Sequence, residues 1–350
     1  MNQITIAPAQ TEQVLSHGFL VMSRDILVMS QEWGLEVIQV IQSLQSPLLT
    51  NFMVFISAVG TEALYAPVVL FILWLVDERR GVRFGVLLIV SVWINVFLKD
   101  VFQQPRPINL DPSLVIASPL SYGAPSGHAQ LAMIFWLPLA AWLSKTWSSR
   151  RNIIWAFAIF MVVLISFSRL YLGAHFPTDL LAGWIFAAVI LFLFFVPGAN
   201  IESLLIKGGI RAQNISAAAI ALAMNGLFPQ ERALPALFLG FCLGYVIMKK
   251  RFPFCAQAEI NGEKPGAKIM LSRFFAGAAG AAMIFLALRL ILPGEESLFS
   301  SIPAWSADSP FYDIGRFLRY GALGFWASAG APRMFQRMDI AQAPDIDNDF

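Results

Sequence analysis

Charge is what this sequence has least of. Lys, Arg, Asp and Glu make up 13% of its 350 residues, against about 25% in an ordinary soluble domain. Mean hydropathy is +0.66 and 57% of residues are hydrophobic, which together describe a polytopic membrane protein. A net charge of +2 is too small to attract nucleic acid. There are two cysteines, Cys242 in an apolar run and Cys255 beside a basic cluster, so no disulfide framework is expected. The opening MNQITIAPAQTEQ lacks the basic and apolar regions of a cleaved signal peptide. The apolar segments themselves are expected to direct insertion. No long internal repeat is present.

What the chain does have is apolar runs. A bilayer core about 30 Å thick takes roughly 20 helical residues. Runs near 61–76, 84–103, 126–143, 152–168, 178–196, 213–229, 233–248, 273–292 and 317–335 predict an all-α, polytopic helical membrane protein of about nine spans. Residues 14–58 mix apolar positions with Arg24, Glu32 and Glu36 at a helical rhythm, as interfacial amphipathic helices do. The expected organisation is an N-terminal interfacial region (1–60), a helical core (61–200), a C-terminal transmembrane extension (201–338) and a disordered acidic tail (339–350). The glycine pairs Gly240/Gly244 and Gly277/Gly280 fit close helix packing in a bilayer.

The loops alternate in charge. Arg79, Arg80 and Arg83, then Lys145, Arg150 and Arg151, then Lys207 and Arg211, then the Lys249–Lys268 cluster, then Arg333 and Arg337 all fall on one side if there are nine spans. The positive-inside rule makes that side cytoplasmic. The opposite side receives the Pro-rich stretch 104–125, the segment after Arg169, and an acidic loop with Glu295, Glu296, Asp308 and Asp313.

Ionisable residues near a membrane interior are costly and point to function. Here they gather in three segments: Lys99 to Pro107, Pro125-Ser126-Gly127-His128, and Ser168 to Asp179. The span reading carries all three to the non-cytoplasmic face. Lys99, Arg106 and Arg169 are three cations suited to a phosphoryl group, with the arginines able to grip two oxygens each. Ser126 and Gly127 open a helix, whose first N–H groups form an anion site. Asp179, one turn after His175, would fix the imidazole tautomer and leave the other nitrogen as a nucleophile. His128 would then serve as the acid for the leaving group. His17, the third histidine, reads as structural. A metal held by His128, His175 and Asp179 is disfavoured by the three cations around it, so neither a metal nor another cofactor is expected.

These segments resemble the signature of the type 2 phosphatidic acid phosphatase superfamily: Lys, six residues and Arg-Pro; Pro-Ser-Gly-His; then Ser-Arg, five residues, His, three residues and Asp. All eleven fixed positions match in order and spacing, at Lys99, Arg106, Pro107, Pro125, Ser126, Gly127, His128, Ser168, Arg169, His175 and Asp179. The resemblance covers about residues 50–200. It implies a six-helix core, metal-independent attack by His175 on phosphorus, proton donation by His128, orientation of His175 by Asp179, and phosphoryl binding by Lys99, Arg106, Ser126, Gly127 and Arg169. Residues 201–350 look similar to C-terminal extensions on some bacterial members, and would shape lipid entry, an oligomer contact (a homo-oligomer) or simply helix packing.

The expected activity is hydrolysis of a lipid phosphate or pyrophosphate monoester, such as phosphatidic acid, phosphatidylglycerophosphate or a polyprenyl pyrophosphate. The site would face the periplasmic side of a bacterial inner membrane. The partners implied are a lipid phosphate and the bilayer. A phosphotransferase using the same phosphohistidine is the first alternative, and a transporter or scaffold the second. The superfamily's vanadate-dependent haloperoxidases are soluble, and the many spans argue against that branch.

Overall fold

The computed structural model describes residues 29–114, 116, 121–260, 262–294, 296–299, 301–306, 309 and 311–343. His17, Arg24, Glu295, Asp308 and residues 344–350 lie outside them. Among the described residues the chain is helical, with one isolated bridge between Ile260 and Glu263 and no strand.

The elements are α1 (29–42), α2 (Pro47–Val59), α3 (Glu62–Phe71), α4 (Glu78–Phe102), α5 (Pro107–Leu110), α6 (Gly127–Thr146), α7 (Arg151–Tyr171), α8 (Pro177–Phe195), α9 (Pro197–Lys207), α10 (Gly209–Leu227), α11 (Ala233–Arg251), α12 (Ala267–Ile291), α13 (Tyr312–Phe325) and α14 (Ala331–Arg337). Two π-turns, Ile72–Val76 and Trp326–Gly330, extend α3 and α13.

The stretches Glu78–Leu110, Ser148–Tyr171, Pro177–Lys207, Ala233–Arg251 and Ala267–Ile291 are each long and apolar enough to cross a membrane. The pair Pro47–Val59 and Glu62–Val76, bent by 51°, adds a sixth if it is one broken span. By this measure five or six spans are found among the described residues, and the expected nine are not confirmed. The shortfall lies where polar residues dilute the apolar run. His128 and Gln130 do so in the first turn of α6, and Arg211, Gln213 and Asn214 in α10. In α13, 14 residues long, Asp313, Arg316 and Arg319 do the same. The first limb of the bent pair lies inside the stretch expected to be interfacial. Ser46 caps it through its hydroxyl, and Pro47 occupies the first turn, where a missing N–H costs nothing.

α6 forms the axis of the core, packed against α4, α7 and α8, and it buries Leu131, Ala132, Ile134 and Phe135. The outer faces are the reverse of a soluble protein's. Ile153, Phe157 and Phe160 on α7, Ile185 and Phe192 on α8, and Phe275 and Met283 on α12 all stand exposed. Such apolar faces belong against lipid, and helices can present them because their backbone polar groups are satisfied internally.

The C-terminal helices join the core through α11, which contacts α4, and through Trp74, whose Nε1 donates to Ala327 O at 2.8 Å. α11 and α13 meet backbone to backbone. A Cβ on Gly240 would strike Gly321 O, and one on Gly280 would strike the Trp326 ring. The glycine pairs picked out in the sequence thus lie at helix contacts.

Candidate active site

α4 ends because Gln103 adopts a left-handed conformation (φ 47°), closing its N–H onto Lys99 O, and because Pro105 and Pro107 cannot continue a helix. The chain turns back through Arg106, whose N–H donates to Asn109 Oδ1 at 2.8 Å. α7 ends at Tyr171, and Gly173 (φ 64°) makes the turn that delivers His175 to the start of α8. Pro177 opens that helix, and Asp179 lies in its first turn, where a carboxylate is favoured by the helix dipole. α6 opens at Gly127 with Ser126 at its N-cap. The N–H groups of Gly127, His128 and Ala129 therefore have no acceptor within the helix.

These three corners meet. Ser126 N–H donates to Asp179 O at 2.9 Å, which ties the Pro-Ser-Gly-His turn to α8. The approach is close enough that a Cβ on Gly183 would lie 2.7 Å from Ser126 O. Asp179 Oδ2 accepts the Phe176 N–H at 3.0 Å and stands 3.2 Å from His175 Nδ1. On the other side of the ring, Arg106 Nη1 lies 3.2 Å from His175 Nε2 and donates to Ala174 O at 2.7 Å. An ionised carboxylate only accepts and a guanidinium only donates. The pattern therefore assigns the hydrogen to Nδ1 and leaves the lone pair on Nε2.

His175 is 1% exposed. Its burial, followed by the positive charges of Arg106, Lys99 and Arg169, holds its pKa well below the usual histidine value. The ring is neutral near pH 7, as a nitrogen nucleophile must be. The same interactions show that Lys99, Arg106, Arg169 and His128 all lie within electrostatic reach of one ring.

The three cations expected to bind a phosphoryl group each hold acceptors within the protein. Lys99 Nζ donates to Tyr122 O at 2.7 Å and Gly123 O at 2.9 Å. Arg106 Nε donates to Ser121 O, and its Nη2 to Ser121 Oγ at 3.1 Å. Arg169 Nη1 donates to Ser57 Oγ. Buried donors take whatever acceptors the fold offers, because leaving them unpaired costs about 1–3 kcal/mol each. Among the buried polar atoms that have no partner in the described residues are Arg169 Nε and Ser126 Oγ. Both belong to the phosphate-binding set expected from the sequence, and buried orphans of this kind call for an unseen acceptor or ligand.

Sequence reasoning missed Ser57, the carbonyls of 121–123, and two buried amides, Asn95 and Gln130. The amides carried a readable signal, since each is a polar side chain inside an apolar helix beside a motif. Ser57 and the carbonyls carried none. Among the described residues, no three His, Cys, Asp or Glu side chains come together as metal ligands.

Known proteins share this arrangement of sequence. The PAP2 superfamily matches residues 80–200, and "PAP2 superfamily phosphatase, transmembrane extension" matches residues 233–343. The undecaprenyl-diphosphatase of Sulfolobus acidocaldarius is 32% identical over 185 residues, which is 50% of this chain and 85% of that protein. The chain belongs to the PAP2 superfamily. Phosphatidylglycerophosphatase B of Bacillus subtilis is 29% identical over 157 residues, covering 43% of this chain and 75% of that protein. Sphingosine-1-phosphate phosphatase 2 of Mus musculus is 27% identical over 155 residues, and the chain spans 43% of its length. The PAP2 match takes in the whole of the three-corner site, and the extension match begins at α11. The protein is a multi-pass membrane phosphatase acting on phosphoric monoesters.

Proposed function

We propose that this PAP2 phosphatase hydrolyses a lipid phosphate or pyrophosphate monoester through a phosphohistidine on His175. The observation that carries the reading is the oriented ring: Asp179 at 3.2 Å from Nδ1, and Nε2 turned toward the cation cluster. In the first step Nε2 bonds to phosphorus and the ester P–O bond breaks. The leaving oxygen takes a proton from His128. In the second, water attacks phosphorus, the P–N bond breaks, and His128 takes back a proton as phosphate leaves. No electrons are exchanged and no metal is required.

Phosphoryl transfer asks mostly for positioning and charge stabilisation. Arg169 Nε, Ser126 Oγ and the first-turn N–H groups of α6 supply donors, while Lys99 and Arg106 supply charge. A phosphoryl oxygen arriving here would compete for Lys99 and Arg106 with the 121–123 carbonyls.

The substrate class follows from the surroundings. The site lies at the ends of helices whose outer faces are apolar, so a tail left in lipid and a headgroup drawn into the cation cluster fits best. The relatives named above act, by their names, on undecaprenyl diphosphate, phosphatidylglycerophosphate and sphingosine-1-phosphate. We place the site on the extracytoplasmic side of a bacterial inner membrane, from the positive loops at the opposite helix ends.

The test is phosphate release by the purified protein from a panel of lipid phosphates in chelator, alongside His175→Ala. Release by the wild type that His175→Ala abolishes supports the reading, and the fastest lipid names the class. Transfer to an added lipid or sugar acceptor in place of free phosphate would make the protein a phosphotransferase.

A further inference from the structure

A chain of buried amides runs beneath the Pro-Ser-Gly-His turn, and the proposed reaction does not use it. Gln130 Nε2, on α6, donates to Ser91 O and Ser91 Oγ on α4, both at 2.9 Å. Gln130 Oε1 accepts from Asn95 Nδ2 at 2.9 Å, and the same Asn95 nitrogen donates to Pro125 O at 3.2 Å. Ser91 and Gln130 are 0% exposed and Asn95 5%. Asn95 Oδ1 occupies the space beside Gly127, and a Cβ there would lie 3.0 Å from it.

We propose that Asn95, held by Gln130 and Ser91, is a positioning residue that sets the phosphate-binding turn. This rests on the reading of that turn as the phosphoryl site. Asn95 and Lys99 lie four residues apart on α4, about 6 Å along its axis. Lys99 holds the carbonyls of Tyr122 and Gly123, and Asn95 holds the carbonyl of Pro125. One rigid helix thus fixes segment 122–125 at two points. From the other side Asp179 O fixes Ser126 N–H. With Pro125 O turned into α4 and Ser126 N–H into α8, the N–H groups of Gly127 and His128 are left as the donors that an anion can meet.

Buried amides between bilayer helices also serve as packing glue. Two features set Asn95 apart from that role. Its nitrogen reaches the backbone of the turn itself, beyond the facing side chain. Its oxygen also lies 3.0 Å from where a Cβ at position 127 would sit, so a side chain there would crowd it. Gly127 permits the approach of α4 rather than an unusual backbone angle.

The experiment uses the full-length protein in nanodiscs and orthovanadate, a phosphate analogue, as probe. Asn95→Leu removes the donor without adding charge. Its expected effect is a loss of about 10- to 100-fold in both vanadate affinity and kcat, the scale of a displacement near 1 Å at a reacting centre. Ser91→Ala, at the far end of the chain, leaves the Ser91 carbonyl as an acceptor for Gln130, so its loss of vanadate affinity is expected to be smaller than that of Asn95→Leu. Gly127→Ala is expected to weaken vanadate binding, and Asn95→Ala to restore part of it in the double variant, because the crowded oxygen is gone. Full vanadate affinity in a folded Asn95→Leu, or strictly additive losses in the Gly127/Asn95 pair, would overturn the proposal. If Asn95→Leu does not fold, the Gly127/Asn95 pair decides it. A wild type that releases phosphate equally well without His175 would instead sink the phosphohistidine reading beneath it.

Discussion

Asp179 Oδ2 serves His175 Nδ1 at 3.2 Å and the Phe176 N–H at 3.0 Å with a single oxygen. The backbone bond fixes the carboxylate, and the carboxylate fixes the ring. Asp179→Asn would keep one oxygen for the Phe176 N–H but could turn an NH2 toward Nδ1, stabilising the wrong tautomer. The expected result is a folded protein with kcat lowered about a thousandfold or more, the scale seen when the orienting carboxylate of a catalytic histidine becomes an amide. Steady-state kinetics with a thermal-melt control would check it.

The depressed pKa of His175 has a definite sign in the pH profile. The ring faces Lys99, Arg106, Arg169 and His128 as positive or titratable groups and Asp179 as the opposing charge. It stays neutral until the pH falls well below the ordinary histidine value of about 6.5. The acid limb of kcat/KM belonging to the nucleophile therefore lies below 6.5. Lys99→Met removes one positive charge and should move that limb upward, whatever it does to the absolute rate. A profile unchanged in shape would count against electrostatic contact between the two residues.

Chelator should leave activity intact. The proposed donors of charge stabilisation are side chains and helix N–H groups, so phosphate release after exhaustive EDTA treatment is expected to match the untreated enzyme. Loss of activity that added divalent cation restores would require a different chemistry.

Sidedness can be read by labelling. In a background with Cys242 and Cys255 replaced by alanine, Ser113→Cys on the 104–125 stretch should react with an impermeant maleimide from the extracytoplasmic side, and Ser148→Cys should not. Both serines are exposed. Ser121 is a poorer choice on the same stretch, because Arg106 bonds both its carbonyl and its hydroxyl. The reverse labelling pattern would invert the topology.

The sequence was most legible where chemistry dictates residue type at short spacing. His175 and Asp179 lie four apart across the start of one helix, and the Pro-Ser-Gly-His turn spells out its own helix cap. Both could be read without tertiary information. The pairing of Arg169 with Ser57 joins residues 112 apart in the chain, and the grip of Lys99 on 122–123 uses backbone carbonyls, which every residue possesses. Neither leaves a local trace. Five or six helices pass the length-and-hydropathy measure where nine spans were expected, for a related reason. α6 and α10 carry polar residues that serve contacts inside the bundle, and hydropathy cannot tell such residues from those of an interfacial segment.

The most direct test of the central claim is to trap the intermediate. The wild type is mixed with a 32P-labelled lipid phosphate for milliseconds, quenched in alkaline detergent, and compared with His175→Ala. A protein-bound label that survives base, is lost in acid and maps to His175 is the predicted result, since a phosphorus–nitrogen bond has that stability. Phosphate release at the wild-type rate with no such label, or with the label intact in His175→Ala, would contradict it.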